Sequence, residues 1–393
     1  MMRFKIILTV LIYGLLPSYI EAQVQLSADC EVSVLTIGPG QALNDAFGHS
    51  AIRIRDAGQN IDLVFDYGRY DFEAEGFYYN FVKGKLDYEI GWAYYKPFIA
   101  SYKRQKRRVT AQTINLSKAE KQRLFQRLQT AIKPQNKTYS YDFLYNNCAT
   151  KIKDDLVAIV NDSIQFLPYK NYRTMTFREL IRSHIPQNSW GGFGIDLALG
   201  SKIDQLARVD QQLFLPKYLE DIFGHSKYKT SSEKLVSKTL ILSDLQSSTA
   251  ILFWWSPLCV FSFLSLFITG FSLRDWKSKS RSKFIDFFIF LSTGILGALI
   301  FFLWFGTSHS DTAYNYNFLW AFAFNLLLLP TLFKNKVKKR FTAYLKFLVM
   351  LLLLMLLHSF TAVQSFNYTL IPLWVALIVR YFYLIQWSKR HSI

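Results

Sequence analysis

The pattern of apolar and polar positions changes character near residue 249. Before that point, short apolar runs are interleaved with Gly, Pro and charged residues, as in a globular unit surrounded by water. Beyond it, apolar stretches of roughly bilayer-crossing length recur at 251–273, 285–306, 318–333, 341–357 and 370–387. At the N-terminus, Arg3 and Lys5 precede an apolar segment at 6–16 that runs into Ser18, Glu21 and Ala22, the form of a cleavable secretory signal. The predicted organisation is a signal peptide at 1–22, an extracytoplasmic domain at 23–248 and a transmembrane domain with five helices at 249–393.

Within the exported part, 31–37 alternates like a strand and is broken by Gly38-Pro39-Gly40. Positions 50–55 alternate as well, with Ile52 and Ile54 on one face and His49, Ala51 and Arg53 on the other. A turn at 56–60 leads into 61–67, which predicts an antiparallel hairpin able to bring Asp66 beside His49. Aromatic and β-branched runs at 77–82 and 86–95 predict further strands.

Ser117-Lys118-Ala119-Glu120 has the capping-box form and predicts a helix reaching Ile132. A second helix is predicted to open at Cys148 or Ala149 and to bury Ile152, Leu156 and Ile159. The glycine-rich stretch 190–200 reads as a mobile apolar loop: a plain connection or, functionally, a lid in which Trp190 and Phe193 meet an acyl chain.

Composition supports a membrane protein, because 51% hydrophobic and 17% aromatic residues exceed what a soluble chain of this length carries. The net charge of +18 has a largely topological cause. Arg274, Lys277, Lys279, Arg281 and Lys283 lie between the first two apolar stretches, and Lys334, Lys336, Lys338, Lys339 and Arg340 between the third and fourth. The second and fourth loops carry no Lys or Arg, and Lys389 and Arg390 sit in the tail. Since basic residues collect on the cytoplasmic side, this predicts a multi-pass inner-membrane protein with the globular domain and the second and fourth loops in the periplasm. Nucleic acid is thereby excluded as the partner the charge would otherwise suggest. A remaining basic run, Lys103, Arg104, Lys106, Arg107 and Arg108, reads as a solvated hairpin or as a contact for anionic headgroups.

Three cysteines make no disulfide framework, although a Cys30–Cys148 bridge is an alternative in an oxidising compartment. No His/Cys cluster has metal-ligand spacing and no glycine-rich phosphate loop occurs, so neither metal nor cofactor is expected.

The chemistry-bearing stretches are Ala46-Phe47-Gly48-His49-Ser50 and Tyr145-Asn146-Asn147-Cys148-Ala149. A cysteine at a helix N-terminus meets unpaired N–H groups and the positive end of the helix dipole, both of which favour the nucleophilic thiolate. His49 is the candidate base, Asp66 the group that orients its ring, and the Asn146 or Asn147 side chain a candidate donor to an oxyanion. His309, between two spans on the outer side, lies in a polar Asn-rich loop suited to a headgroup or a lipidated N-terminus.

These residues resemble a known family. Gly48-His49-Ser50-Ala51, Asp66-Tyr67-Gly68, the Asn80-Phe81, Gly84 and Tyr88 stretch, and Asn147-Cys148-Ala149 are similar to the exported domain of the Lnb-type lipoprotein N-acyltransferases. His309, Thr312, Asn315 and Asn317, followed by Leu319-Trp320 and Pro330, resemble its membrane part. The resemblance implies an α+β papain-like domain, circularly permuted as in NlpC/P60 relatives, followed by an all-α membrane domain.

It also implies Cys148 as nucleophile, His49 as base, and His309, Thr312, Asn315 and Asn317 as substrate-binding candidates. The implied reaction carries a fatty acyl group from a membrane phospholipid, through a Cys148 thioester, to the α-amine of diacylglyceryl-cysteine on an apolipoprotein. Two rivals stand beside it: a membrane-anchored papain-like peptidase or amidase, and a non-catalytic envelope scaffold.

Overall fold

In the computed structural model, residues 24–391 are described apart from 72, 74, 86 and 246–252, so the expected signal peptide lies outside the described residues. Seven antiparallel strands form the main sheet: β1 (Glu31–Ile37), β2 (His49–Asp56), β3 (Ile61–Arg69), β4 (Asp87–Tyr94), β5 (Val109–Ile114), β6 (Thr138–Ser140) and β7 (Val236–Ser243). Their order across the sheet is β7-β5-β1-β2-β3-β4-β6. Helices α1 (Phe77–Lys83), α2 (Tyr95–Arg104), α3 (Lys118–Ala131), α4 (Cys148–Ile159), α5 (Phe177–Arg182), α6 (Trp190–Ala198) and α7 (Pro216–His225) complete the exported domain.

Alternation along the strands supplies two cores. Val32, Val34, Ile52, Ile54 and Phe65 pack with Leu124 and Phe125 of α3 and with Ile152 and Leu156 of α4. Leu35, Ile37, Ala51 and Val64 turn to the opposite face, where Phe98 and Ile99 of α2 cover them. The predicted hairpin forms with Ala51 opposite Asp66. Ser117 and Glu120 close the capping box at the start of α3.

Two predicted elements change. The run at 77–82, expected as a strand, is the helix α1, bounded by Gly76 and Gly84, each at φ 73°. Gly84 accepts this left-handed cap without a Cβ penalty, its N–H bonding the Asn80 and Phe81 carbonyls, so local capping overrides the β preference of the aromatics. The glycine-rich stretch at 190–200, expected as a mobile loop, begins as helix α6, capped by Ser189.

Beyond the exported domain, four helices among the described residues are long and apolar enough to cross a membrane: α8 (Pro257–Ser278), α9 (Lys283–Phe305), α10 (Lys339–Phe360) and α11 (Ile371–Arg390), the last entered through Tyr368. The third expected span is broken into short helical turns over Tyr316–Leu332. Its backbone lies directly on α9, where a Cβ at Gly297 would meet the Ala321 carbonyl oxygen at 2.0 Å. Asn325 crosslinks it to Thr293 at 2.8 Å and to Tyr344 at 2.7 Å. Side chains therefore supply partners that a regular helix would not need.

The two parts are bolted together by polar side chains. Buried Arg178 binds Asp196 at 3.1 Å and Asp204 at 2.9 Å, and Arg182 reaches from Asp196 to Ser365 at 2.7 Å. Asn315 donates to the carbonyls of Leu197 and Ala198 on α6, Asn317 is buried beside it, and Gly200 N–H bonds the Asp311 carbonyl at 2.8 Å. At the other end of the helices, Arg380 joins Asp275 and Asp286, an ionic knot holding α8, α9 and α11. Paired in this way, intramembrane charges lock helices together instead of forcing water into the apolar layer.

Candidate active site

His49 opens β2 and Cys148 opens α4 at the same end of the sheet, where a Cβ at Gly68 would lie 3.9 Å from the Cys148 Cβ. Gly48 (φ +82°) makes the approach possible, because a side chain there would strike the Ile37 carbonyl. Cys148 and His49 line the same cavity, and the imidazole and the Ser50 backbone N–H both act on the thiol to favour its anion. His49 Nε2 lies 3.3 Å from Asp66 Oδ2. Because Asp66 faces Ala51 across the hairpin, it shares a face with the ring two residues earlier. Arg69, unforeseen in the sequence, donates to Asp66 Oδ1 from Nε at 2.9 Å and Nη2 at 2.5 Å, and so fixes the carboxylate in turn.

Electrostatics follow from this chain of contacts. Burial pushes the Cys148 thiol up, but the His49 charge and hydrogen bond and the Ser50 N–H outweigh it, holding the thiol below its ordinary value. Burial pushes His49 down, yet the charges of Cys148 and Tyr102 and the bond to Asp66 carry it well above its usual range. Asp66 is likewise penalised by burial, and held low by His49 and Arg69. The shifts of Cys148 and His49 both favour a thiolate beside an imidazolium.

Cys30 and Cys148 are both free, so the alternative of a bridge between them does not hold. Cys30 is 1% exposed and pushed up to about 11, chiefly by burial. Iodoacetamide at neutral pH is expected to alkylate Cys148 at least about tenfold faster than Cys30, as read by peptide mass spectrometry. Equal rates at the two cysteines would contradict the ion pair.

The asparagines do not serve as expected. Asn147 caps α4 through Oδ1, which accepts from Ala149 and Thr150, while its Nδ2 donates to the Phe143 and Phe214 carbonyls at 2.6 and 2.8 Å. Both amide hydrogens are consumed. Asn146 donates to the Ser140 carbonyl and stands outside the cavity lining. With the cap using the N–H groups of Ala149 and Thr150, the Cys148 N–H is the first-turn donor best placed for an oxyanion.

The thiol opens into a cavity of about 900 Å³ whose walls come from both parts of the chain. His309 and Thr312 line it, as do Ser308 and Asp311 from the same loop. Burial and the neighbouring Asp142 push the Asp311 carboxyl up to about 6. Asn315 and Asn317 do not line it, because their amides hold α6 to the membrane domain. Trp190 and Phe193 also face away: Trp190 Nε1 bonds the Trp255 carbonyl and Phe193 packs on Phe261. The far end of α6 contributes Ile195, Ala198 and Leu199 instead.

Tyr141, which the sequence reading did not single out, also lines the cavity, stacked on Tyr88 with ring centroids 4.4 Å apart. Two residues of the basic run are absorbed by the fold, Arg107 bonding Gly38 and Asp45 and Arg108 bonding Glu220, whereas Lys103, Arg104 and Lys106 are exposed.

The family model of the Lnb N-terminal periplasmic domain matches residues 17–183, and that of the Lnb transmembrane domain matches 247–392. The chain belongs to the Lnb-type lipoprotein N-acyltransferase family. No curated protein and no solved structure matched it. Membership makes the chain an inner-membrane protein with a periplasmic N-terminal domain and a lipoprotein N-acyltransferase-like role. The thiol, the imidazole and Asp66 all fall within the match to the Lnb periplasmic domain, and the His309 loop within the match to the Lnb transmembrane domain. Helix α6, which joins the two parts, lies between the matches.

Proposed function

We propose that the chain is a cysteine-dependent acyltransferase working by two half-reactions at the periplasmic leaflet. The observation that carries this reading is Cys148 at the start of α4 together with the His49–Asp66 pair, all lining a cavity whose wall is completed by the membrane domain. A chamber of this volume is at the large end for small-molecule sites and suits a lipid.

In the first half-reaction, the Cys148 sulfur attacks an ester carbonyl of a phospholipid. The Cys148 N–H stabilises the oxyanion, and the C–O bond breaks as His49 protonates the leaving alkoxide. Lysophospholipid departs, leaving a thioester and a neutral imidazole. In the second, the uncharged α-amine of diacylglyceryl-cysteine attacks that thioester while His49 accepts its proton. The C–N bond forms, the C–S bond breaks and the ion pair is restored. Asp66, anchored by Arg69, holds the ring in the orientation both steps need.

The broken Tyr316–Leu332 segment forms a fifth crossing in this reading, with the second and fourth loops on the periplasmic side. Contacts of Asn315 and Ser365 with the exported domain support that placement. The division into signal peptide 1–22, catalytic domain 23–248 and membrane domain 249–393 goes with it.

Intact-protein mass spectrometry after mixing with phospholipid vesicles tests the reading. A fatty acyl mass on Cys148, discharged by a diacylglyceryl-cysteine peptide with the acyl group now on its amine, is the expected result. Discharge to water alone would indicate a hydrolase.

A further inference from the structure

Helix α1 presents an apolar face that no other part of the described chain covers. Tyr78 is 70% exposed, Tyr79 63% and Val82 47%. Its depth is fixed by the membrane domain. Ser308 N–H bonds the Lys83 carbonyl at 2.8 Å and His309 Nε2 bonds the Phe81 carbonyl at 2.9 Å, three or four residues past the end of α9 at Phe305. Gly84 permits this seat, since a Cβ there would lie 2.8 Å from the His309 nitrogen. The exposed aromatics of α1 therefore stand at the level where an apolar span gives way to water.

Exposed Phe301 and Phe305 continue the apolar surface down α9. On the other side of α1, Phe77 and Phe81 line the cavity that holds Cys148. The helix thus separates this exposed apolar face from the cavity.

We propose that α1 lies in the boundary between headgroups and acyl chains of the periplasmic leaflet, and that the donor phospholipid passes over it into the cavity. Tyrosines suit this depth, with the ring among acyl chains and the hydroxyl in the headgroup layer. Lys83 and Lys85 at the helix end match the lipid phosphates in charge. The location stands on geometry alone; the passage of the donor rests on the acyl-transfer reading given above.

The test uses the full chain in membranes. Benzoylphenylalanine placed at 78 or 79 and irradiated is expected to yield an adduct of one phospholipid mass. A triple variant, Tyr78→Ser, Tyr79→Ser, Val82→Ser, is expected to raise the KM for vesicle phospholipid about tenfold or more, three apolar contacts being lost. Acylation of Cys148 by the water-soluble p-nitrophenyl butyrate should be unchanged, which controls for folding. Absence of a lipid adduct at both positions, or a vesicle KM equal to that of the parent chain, overturns the proposal. If neither donor acylates Cys148 even in the parent chain, the acyl-transfer reading fails, and the adduct alone decides where α1 lies.

Discussion

Cys148→Ala is expected to abolish acyl transfer while the fold stays intact. In the proposed reaction the sulfur carries the acyl group, so its loss should lower the rate by about 10⁴-fold or more. The structural cost is small. Cys148 sits at the first position of α4, whose cap is built by Asn147 and Thr150 without the thiol. Its side chain is only partly packed against the core, so stability should fall by about 1 kcal/mol at most.

Cys148→Ser keeps the shape but replaces the thiol with a far weaker acid, and should also be inactive. Triacylated lipoprotein, measured by mass spectrometry in cells depending on this chain, should vanish in both variants, with thermal unfolding in detergent nearly unchanged. Parental levels of N-acylated product from the alanine variant would refute the mechanism.

Asp66→Asn should produce the second-largest effect, a fall in kcat/KM of about 10²- to 10⁴-fold with Cys148 still present. The amide is almost isosteric, yet it removes the charge that favours imidazolium and leaves Arg69 without its anion. The pH profile separates this from simple unfolding. The ion pair exists above the lowered Cys148 value and below the raised His49 value, so activity should fall on both sides of a broad plateau. Without the carboxylate, His49 loses one of the contributions that raise it, and the alkaline limb should move to lower pH. A profile of parental width and position would remove Asp66 from the mechanism.

Stability responds in the same sense. The contribution of His49 is complete below its ordinary value of 6.5 and is lost as pH rises through its raised folded value. That of Asp66 is complete above 3.8 and is lost as pH falls through its depressed one.

Much of this arrangement is legible in the amino-acid order because it is local. Alternation across 50–55 and 61–67 dictates a hairpin, and a hairpin of that register must set Asp66 near His49. The helix at Cys148 is announced by its spacing of Ile152, Leu156 and Ile159, all of which are buried. What escaped depends on partners distant in the chain. Asn147 looks like a free donor until Phe143 and Phe214 claim its hydrogens. Trp190 and Phe193 look like a lid because glycines surround them, but the membrane helix α8 gives them something to pack against.

The run at 77–82 reads as strand by composition, and becomes helix because two glycines adopt a left-handed turn around it. Arg69 could have been found: it follows Asp66 by three residues across Gly68, and a shift in strand register at that point brings the two together. Asp311 adjoins the residues that carry the family resemblance, but its raised carboxyl depends on burial and on Asp142, a neighbour distant in the chain.

The His309 loop completes a chamber begun by the periplasmic sheet, so the reactive centre is shared by two folding units that mature in different solvents. Neither half encloses the sulfur by itself. In the proposed reading, a newly exported chain gains its full chamber around Cys148 only once its aqueous half has settled onto its lipid-embedded half.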